Sequence, residues 1–239
     1  MKFTSHLISK QQIAEGTMAF HFEKPAGVQF KAGQTVDITI PNPHETDVEG
    51  NIRTFSNVAA PNEQDIIIAT RMRDTAFKRN LKNAELGMPV EIEGPIGSFT
   101  LHQKETRPAI MLVGGIGITP FMSMIKDATE KHLPHKIFLL YSNRRPEDTA
   151  FLEDLKKLAT ENSNFSFIPT MTDMDKSTTA WEGERGYISK EMIEKYVKDR
   201  TNAVYYSAGP QSMVTAMRTI LHGMSVSDDD IRTEEFTGY

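Results

Sequence analysis

Cysteine is absent from all 239 residues. Disulfides, thiolate nucleophiles and cysteine-held iron–sulfur clusters are therefore excluded within this chain. Long apolar runs are absent as well. None approaches the roughly 18 residues of a membrane-spanning helix, so no membrane span is expected. Basic charge is not in excess: 27 Lys and Arg stand against 32 Asp and Glu, a net charge of −5, and no nucleic-acid partner is expected. The opening Met1-Lys-Phe-Thr-Ser-His6 lacks the apolar core of a secretory signal, so the expected location is cytoplasmic. The seven histidines form no ligand set; His132 and His135 beside Pro134 read as a helix end, and no metal site is expected. Asp228-Asp-Asp230 reads as a solvated turn, and Trp181 as buried packing in a long loop.

What is present is ordinary in bulk: 38% apolar and 25% charged residues, as in soluble globular proteins. The length allows one large domain or two small ones. The first hundred residues alternate in the strand period, with Met18, Phe20 and Phe22 on one face and Val36, Ile38 and Ile40 on another. Gly16, Pro25-Ala-Gly27, Pro41-Asn-Pro43 and Pro61-Asn62 punctuate them as turns. Further strands are expected at 65–72 and 89–93, with one helix at 75–82 capped by Asp74 or Thr75. This predicts an antiparallel six-stranded barrel over residues 1–103.

After 103–107 the rhythm changes. Strands at 109–113, 136–141, 165–169, 203–207 and 231–236 alternate with helices at 119–131, 149–161, 189–197 and 210–222, with Ser189 as a cap. That alternation predicts a doubly wound parallel-sheet α/β domain over 107–239.

The chain is organised around Ala109-Ile-Met-Leu-Val-Gly-Gly-Ile-Gly-Ile-Thr-Pro120. An apolar run closed by glycines is what a buried parallel strand looks like. Thr119 is expected to cap the following helix, with Pro120 in its first turn. Gly115, Gly117 and the helix N-terminus could then receive a nucleotide phosphate. A strand–turn–helix without a ligand is the alternative.

Four more segments bear on chemistry. Arg53-Thr-Phe-Ser56 on a barrel strand could pair Arg53 with a phosphate and lay Phe55 against a flat ring. Gly94-Pro-Ile-Gly-Ser-Phe99 reads as a turn ending the barrel, and Ser207-Ala-Gly-Pro210 as a strand end opening onto a helix. The last segment, Arg232-Thr-Glu-Glu-Phe-Thr-Gly-Tyr239, sets two acids beside two aromatics. Taken in order, these five motifs resemble the ferredoxin–NADP reductase superfamily over essentially the whole chain.

The resemblance implies a barrel that binds FAD and an α/β domain that binds NADPH or NADH. It places Arg53 on the flavin phosphate, Thr54 and Phe55 along the ring system, and Ser56 near the flavin N5. Thr70, Arg71 and Met72 would line the flavin, and the helix start at Thr75, Ala76 and Phe77 would hold its pyrophosphate. Gly115, Gly117, Thr119, Pro120, Ala208, Gly209 and Pro210 would hold the nicotinamide nucleotide. Asn143, Arg144 and Arg145 would meet its adenosine ribose, the two arginines favouring a 2′-phosphate unless Glu147 and Asp148 neutralise them. Glu234 would relay a proton or orient the nicotinamide, and Phe236 or Tyr239 would cover the flavin. Two departures from the family pattern stand out: Lys78 where a hydroxyl is usual, and Ala208 where a thiol is usual.

The activity implied is an FAD-dependent NAD(P)H oxidoreductase, passing hydride to flavin N5 and electrons to a separate acceptor, ferredoxin, flavodoxin or a small molecule. The alternatives are a flavin reductase using free flavin and a non-catalytic electron-transfer subunit. Arg71, Arg73, Lys78, Arg79 and Lys82 form a candidate docking patch for an acidic carrier.

Overall fold

The computed structural model describes residues 1–200 and 202–236. Strands β1 (Lys2–Ala14), β2 (Thr17–Glu23), β3 (Thr35–Thr39), β4 (Ile52–Ser56), β5 (Asp65–Arg71) and β6 (Pro89–Ile96) form one antiparallel sheet in the order β4-β3-β6-β1-β2-β5. The 13-residue β1 joins its two halves: Lys2–His6 pairs with β6, and Leu7–Ala14 with β2, across a register shift at Leu7/Ser9. This strand carries no apolar alternation, since only Ser5 and Leu7 are fully buried along it, and the sequence pattern does not announce it. Inside lie Leu7, Phe20, Phe22, Ile38, Ile66, Ile68 and Val90, packed against Phe77 and Leu81 of helix α1 (Ala76–Asn83). Thr75 caps α1, its hydroxyl accepting from the Lys78 N–H at 3.4 Å. The Gly94-Pro-Ile96 segment does not turn, as the sequence suggests, but continues β6.

The second sheet is parallel: β10 (Glu184–Arg185), β9 (Phe165–Met171), β8 (Ile137–Asn143), β7 (Ala109–Gly114), β11 (Val204–Pro210) and β12 (Ile231–Phe236), in that spatial order. Helices α2 (Thr119–Glu130), α3 (Leu152–Glu161), α4 (Lys190–Tyr196) and α5 (Gln211–Gly223) cover its two faces. All six residues of β7 are buried, as a central strand between two helical layers requires. Ser189 caps α4, accepting from Met192 N–H at 3.2 Å. Thr119 does not cap α2. It lies inside the first turn, its hydroxyl donating back to Ile116 O at 3.1 Å, while Ile118 takes the cap position without a side-chain bond. The α3 helix starts at Leu152, not at 149, because Pro146–Asp148 forms a separate 3₁₀ turn. Trp181 is half-buried against Gly183, with its indole N–H on Glu184 O.

One hydrophobic cluster belongs to both sheets. Ala19, Ala59, Ile67 and Ala69 from the barrel pack with Phe121, Met124, Tyr206 and Ala208 from the α/β part. Phe99 stands edge-on to both Phe121 and Tyr206, at 5.5 and 5.7 Å between ring centroids. Ser123 Oγ donates to Ala59 O at 2.5 Å, and Lys126 pairs with Glu63 at 2.9 Å. The two parts therefore share a dry seam. No helix among the described residues is long and apolar enough to cross a membrane, and no three of their His, Asp or Glu side chains converge as metal ligands.

Candidate functional site

Ligands of open α/β sheets bind beyond the carboxyl ends of the strands. On that edge lies a cavity of about 900 Å³, walled by Gly114 and Gly115 at the end of β7, Ser142 to Arg144 at the end of β8, Pro210 and Met213 at the β11–α5 junction, and closed from the barrel side by Gly16 and Arg71 to Arg73. Gly115 holds φ +52°, a left-handed value that favours glycine, and opens the 3₁₀ turn Gly115–Ile118. Tyr141 Oη donates to Gly115 O at 3.0 Å and anchors that turn. Gly117 meets a different demand: a Cβ there would sit 2.4 Å from Ala208 O. Its smallness lets the turn after β7 pack against the end of β11.

Asn143 is 5% exposed, yet neither its amide nitrogen nor its amide oxygen has a partner. Buried polar groups are rarely left so, and this one lines the cavity. The arginines beside it separate. Arg145 is held by Asp148 through two bonds of 2.8 Å and by Glu15 of the barrel at 2.8 Å. Arg144 faces the cavity and has no ion pair among the described residues. Tyr187, 81% exposed, also lines it, and no sequence signal marked it.

Other buried polar atoms outside this cavity also lack a partner, among them those of Ser56, Asn57, His135, Ser207 and Glu234. Ser56 is 2% exposed and its Oγ has no partner. Glu234 lies beside Ala208 in the sheet register, its Oε2 buried and unpartnered. Burial pushes its pKa up to about 7, so the carboxyl is substantially protonated at neutral pH. Phe236, next along that face, packs on the seam cluster, which encloses Ala208 completely. Tyr239 lies outside the described residues.

The barrel residues are arranged differently from expectation. Arg53 lies over the Phe77 ring at 5.4 Å, bonds to Glu49 at 2.6 Å and comes within 3.6 Å of Asp47. The Ala76 N–H, expected to hold pyrophosphate, donates to Asp47 Oδ2 at 2.8 Å. Phe77 is a core residue, 1% exposed, and Ala76 likewise turns its side chain inward. Phe55 packs on Phe77 at 5.9 Å, Thr54 bonds Asp37, and Thr70 is buried with its hydroxyl near Arg71 O. Of the five cations at 71–82, two are held by neighbours. Arg79 is held between Glu45 and Asp74, and Lys78 donates to Arg71 O at 2.8 Å. Burial first, then Arg73 and Arg53, lowers the Lys78 pKa to about 8.

A flavin bearing a phosphate fits these residues in its donor chemistry: a guanidinium and a helix N–H for the phosphate, and orphaned hydroxyl and carboxyl oxygens for the ring end. The phosphate donors, however, already carry carboxylates.

Residues 111–219 match the family model of the oxidoreductase NAD-binding domain. The glycine betaine monooxygenase reductase subunit of Chromohalobacter salexigens is 26% identical over 92% of this chain and 60% of its own length. Among solved structures, a cytochrome P450 reductase of Amycolatopsis superposes with a TM-score of 0.84 at 22% identity, covering 100% of this chain and 70% of that one. A ferredoxin NADP⁺ reductase of Neisseria gonorrhoeae, solved with bound FAD and NADP, superposes with a TM-score of 0.80 at 18% identity, covering 98% of both. The chain spans 57–67% of the length of the first curated relatives it matches. The antiparallel and parallel sheets together share the fold of these solved reductases, and residues 111–219 match the oxidoreductase NAD-binding domain.

Proposed function

We propose that this chain is an FAD-dependent NAD(P)H oxidoreductase that passes electrons to a separate acceptor. Its domains on this reading are the barrel, 1–103, and the nucleotide-binding part, 107–239. The observation that carries it is the set of orphaned polar atoms at the seam and cavity: Ser56 Oγ, Glu234 Oε2 and both ends of the Asn143 amide. Unsatisfied buried groups of this kind are costly, about 1–3 kcal/mol each, unless a ligand completes them.

FAD, when bound, accepts hydride from the nicotinamide and releases electrons singly to the acceptor. The chain's own work is positioning. The Gly115 turn and the Pro210 loop receive the nicotinamide nucleotide, Asn143 and Arg144 its adenosine end. Ser56 Oγ supplies a hydrogen bond at the reacting edge of the flavin. Glu234 holds a proton on its carboxyl near pH 7 and can orient or exchange it there. The dry seam around Phe121 and Tyr206 keeps water from the meeting point. With Arg145 clamped by Asp148 and Glu15, only Arg144 of the pair is free for a 2′-phosphate, which favours NADH over NADPH.

The acceptor is a protein carrier or oxygenase partner, since the relative from Chromohalobacter salexigens is named a reductase subunit of a monooxygenase. The carboxylates seated on the phosphate donors favour one alternative, a flavin that exchanges with solution. Reduction of a small-molecule electron acceptor tests the proposal. It should require both NADH or NADPH and added FAD, and its absence in protein that has bound FAD contradicts the reading.

A further inference from the structure

The loop between β3 and β4 carries Glu45, Asp47 and Glu49 over the start of α1. Asp47 Oδ2 accepts from Ala76 N–H at 2.8 Å, and Glu49 grips Arg53 at 2.6 Å with Asp47 Oδ1 at 3.6 Å from the same guanidinium. These are the two donors on which a flavin phosphate rests in the reading above. A carboxylate presents to them what a phosphate presents, a pair of anionic oxygens. Two of the cations here carry carboxylates: Arg53 those of Asp47 and Glu49, and Arg79 those of Glu45 and Asp74. A phosphate that is to reach the Arg53 guanidinium must displace the carboxylates on it.

The loop is built to leave. Val48 at its tip is wholly exposed, at 106%, so no apolar anchor holds it down. The other ties are polar as well: Arg79 to Glu45 at 2.6 Å, Arg53 to the Glu49 and Gly50 carbonyls at 2.8 and 3.2 Å, and Asn80 to the Glu45 carbonyl and the His44 N–H. Segments held this way open at low cost.

We propose that Asp47 and Glu49 are specificity determinants for the flavin, competing with its phosphate for Arg53 and the Ala76 N–H and so setting how far phosphate-bearing flavins are preferred over phosphate-free ones. The inference rests on the reading that the barrel binds flavin. A ligand that needs a minor, loop-open state binds with affinity reduced by the open fraction, and that reduction falls only on ligands that need the loop open. Riboflavin, without a phosphate, leaves the loop seated.

Fluorescence titration of wild type and of the Asp47→Asn, Glu49→Gln double variant with FAD, FMN and riboflavin tests this. Both substitutions keep side-chain size, and thermal melts check folding. FAD and FMN should bind the double variant about tenfold more tightly than wild type, while riboflavin affinity stays the same. Unchanged or weaker FAD affinity in a folded variant overturns the inference, as does an equal gain for riboflavin. If neither protein binds any flavin, the functional reading falls as well. Hydrogen exchange gives a second readout that needs no variant. FAD should deprotect the amides of residues 44–50 while Ala76 stays protected, and riboflavin should leave both as they were. A loop that stays protected under saturating FAD overturns the competition.

Discussion

Replacing Glu234 by glutamine should make the protein more stable at alkaline pH and leave it nearly unchanged at acid pH. The folded carboxyl has its pKa raised from 4.5 to about 7, with burial as the cause. A group with a raised folded pKa contributes fully below its unfolded value, and that contribution is lost as pH rises through the folded value. The window is therefore pH 4.5 to about 7. Below it both states hold the proton; above it the folded protein must keep a charge on an oxygen that has no partner. A shift of this size corresponds to about 3 kcal/mol, and the residue's partial exposure reduces it to roughly 2. Glutamine fills the same space without the charge. Urea unfolding at pH 4.5 and pH 8.5 measures the difference, which should be near zero at the first and roughly 2 kcal/mol in favour of the variant at the second. Equal effects at the two pH values would refute the assignment of a buried, titrating carboxyl.

Arg53→Ala should weaken FAD binding by roughly 10- to 150-fold, the loss of one charge-assisted phosphate bond, and unchanged retention on gel filtration would remove Arg53 from the site. Ser56→Ala should leave FAD affinity within about threefold and slow flavin reduction about tenfold. Equal rates in stopped-flow mixing would show that the orphaned hydroxyl meets no reacting atom. Freeing Arg145 by Glu15→Gln with Asp148→Asn should raise the NADPH-to-NADH ratio of kcat/KM about tenfold. A constant ratio would place the 2′-phosphate out of Arg145's reach.

The sequence carried the architecture well wherever burial writes a period. Ala109–Val113, buried on both faces, and the alternating Val36, Ile38 and Ile40 were legible because packing selects those residues directly. It failed at β1, whose polar residues leave only Ser5 and Leu7 to signal a strand. The proposed site residues Ser56, Asn143 and Glu234, singled out through the resemblance, each stand at or near a strand's carboxyl end. What could not be read were the long-range polar pairings. Nothing local says that Asp47 will reach Ala76, 29 residues on, or that Glu15 will clamp Arg145, 130 residues away. The first of these pairings holds a donor at the start of α1, and the second adds to the Asp148 contact on Arg145 that its nearness in sequence suggests. The packing demand on Gly117 was likewise not legible: a Cβ there would meet the Ala208 carbonyl, which lies far away in sequence.

Anaerobic mixing of FAD-loaded protein with NADH or NADPH tests the central claim, that flavin in the barrel and nicotinamide in the α/β cavity meet across the seam. The flavin's visible absorbance should bleach with one equivalent of reduced nucleotide, at a rate that saturates with nucleotide concentration. Stoichiometrically bound FAD that keeps its absorbance under saturating NADH and NADPH would contradict it.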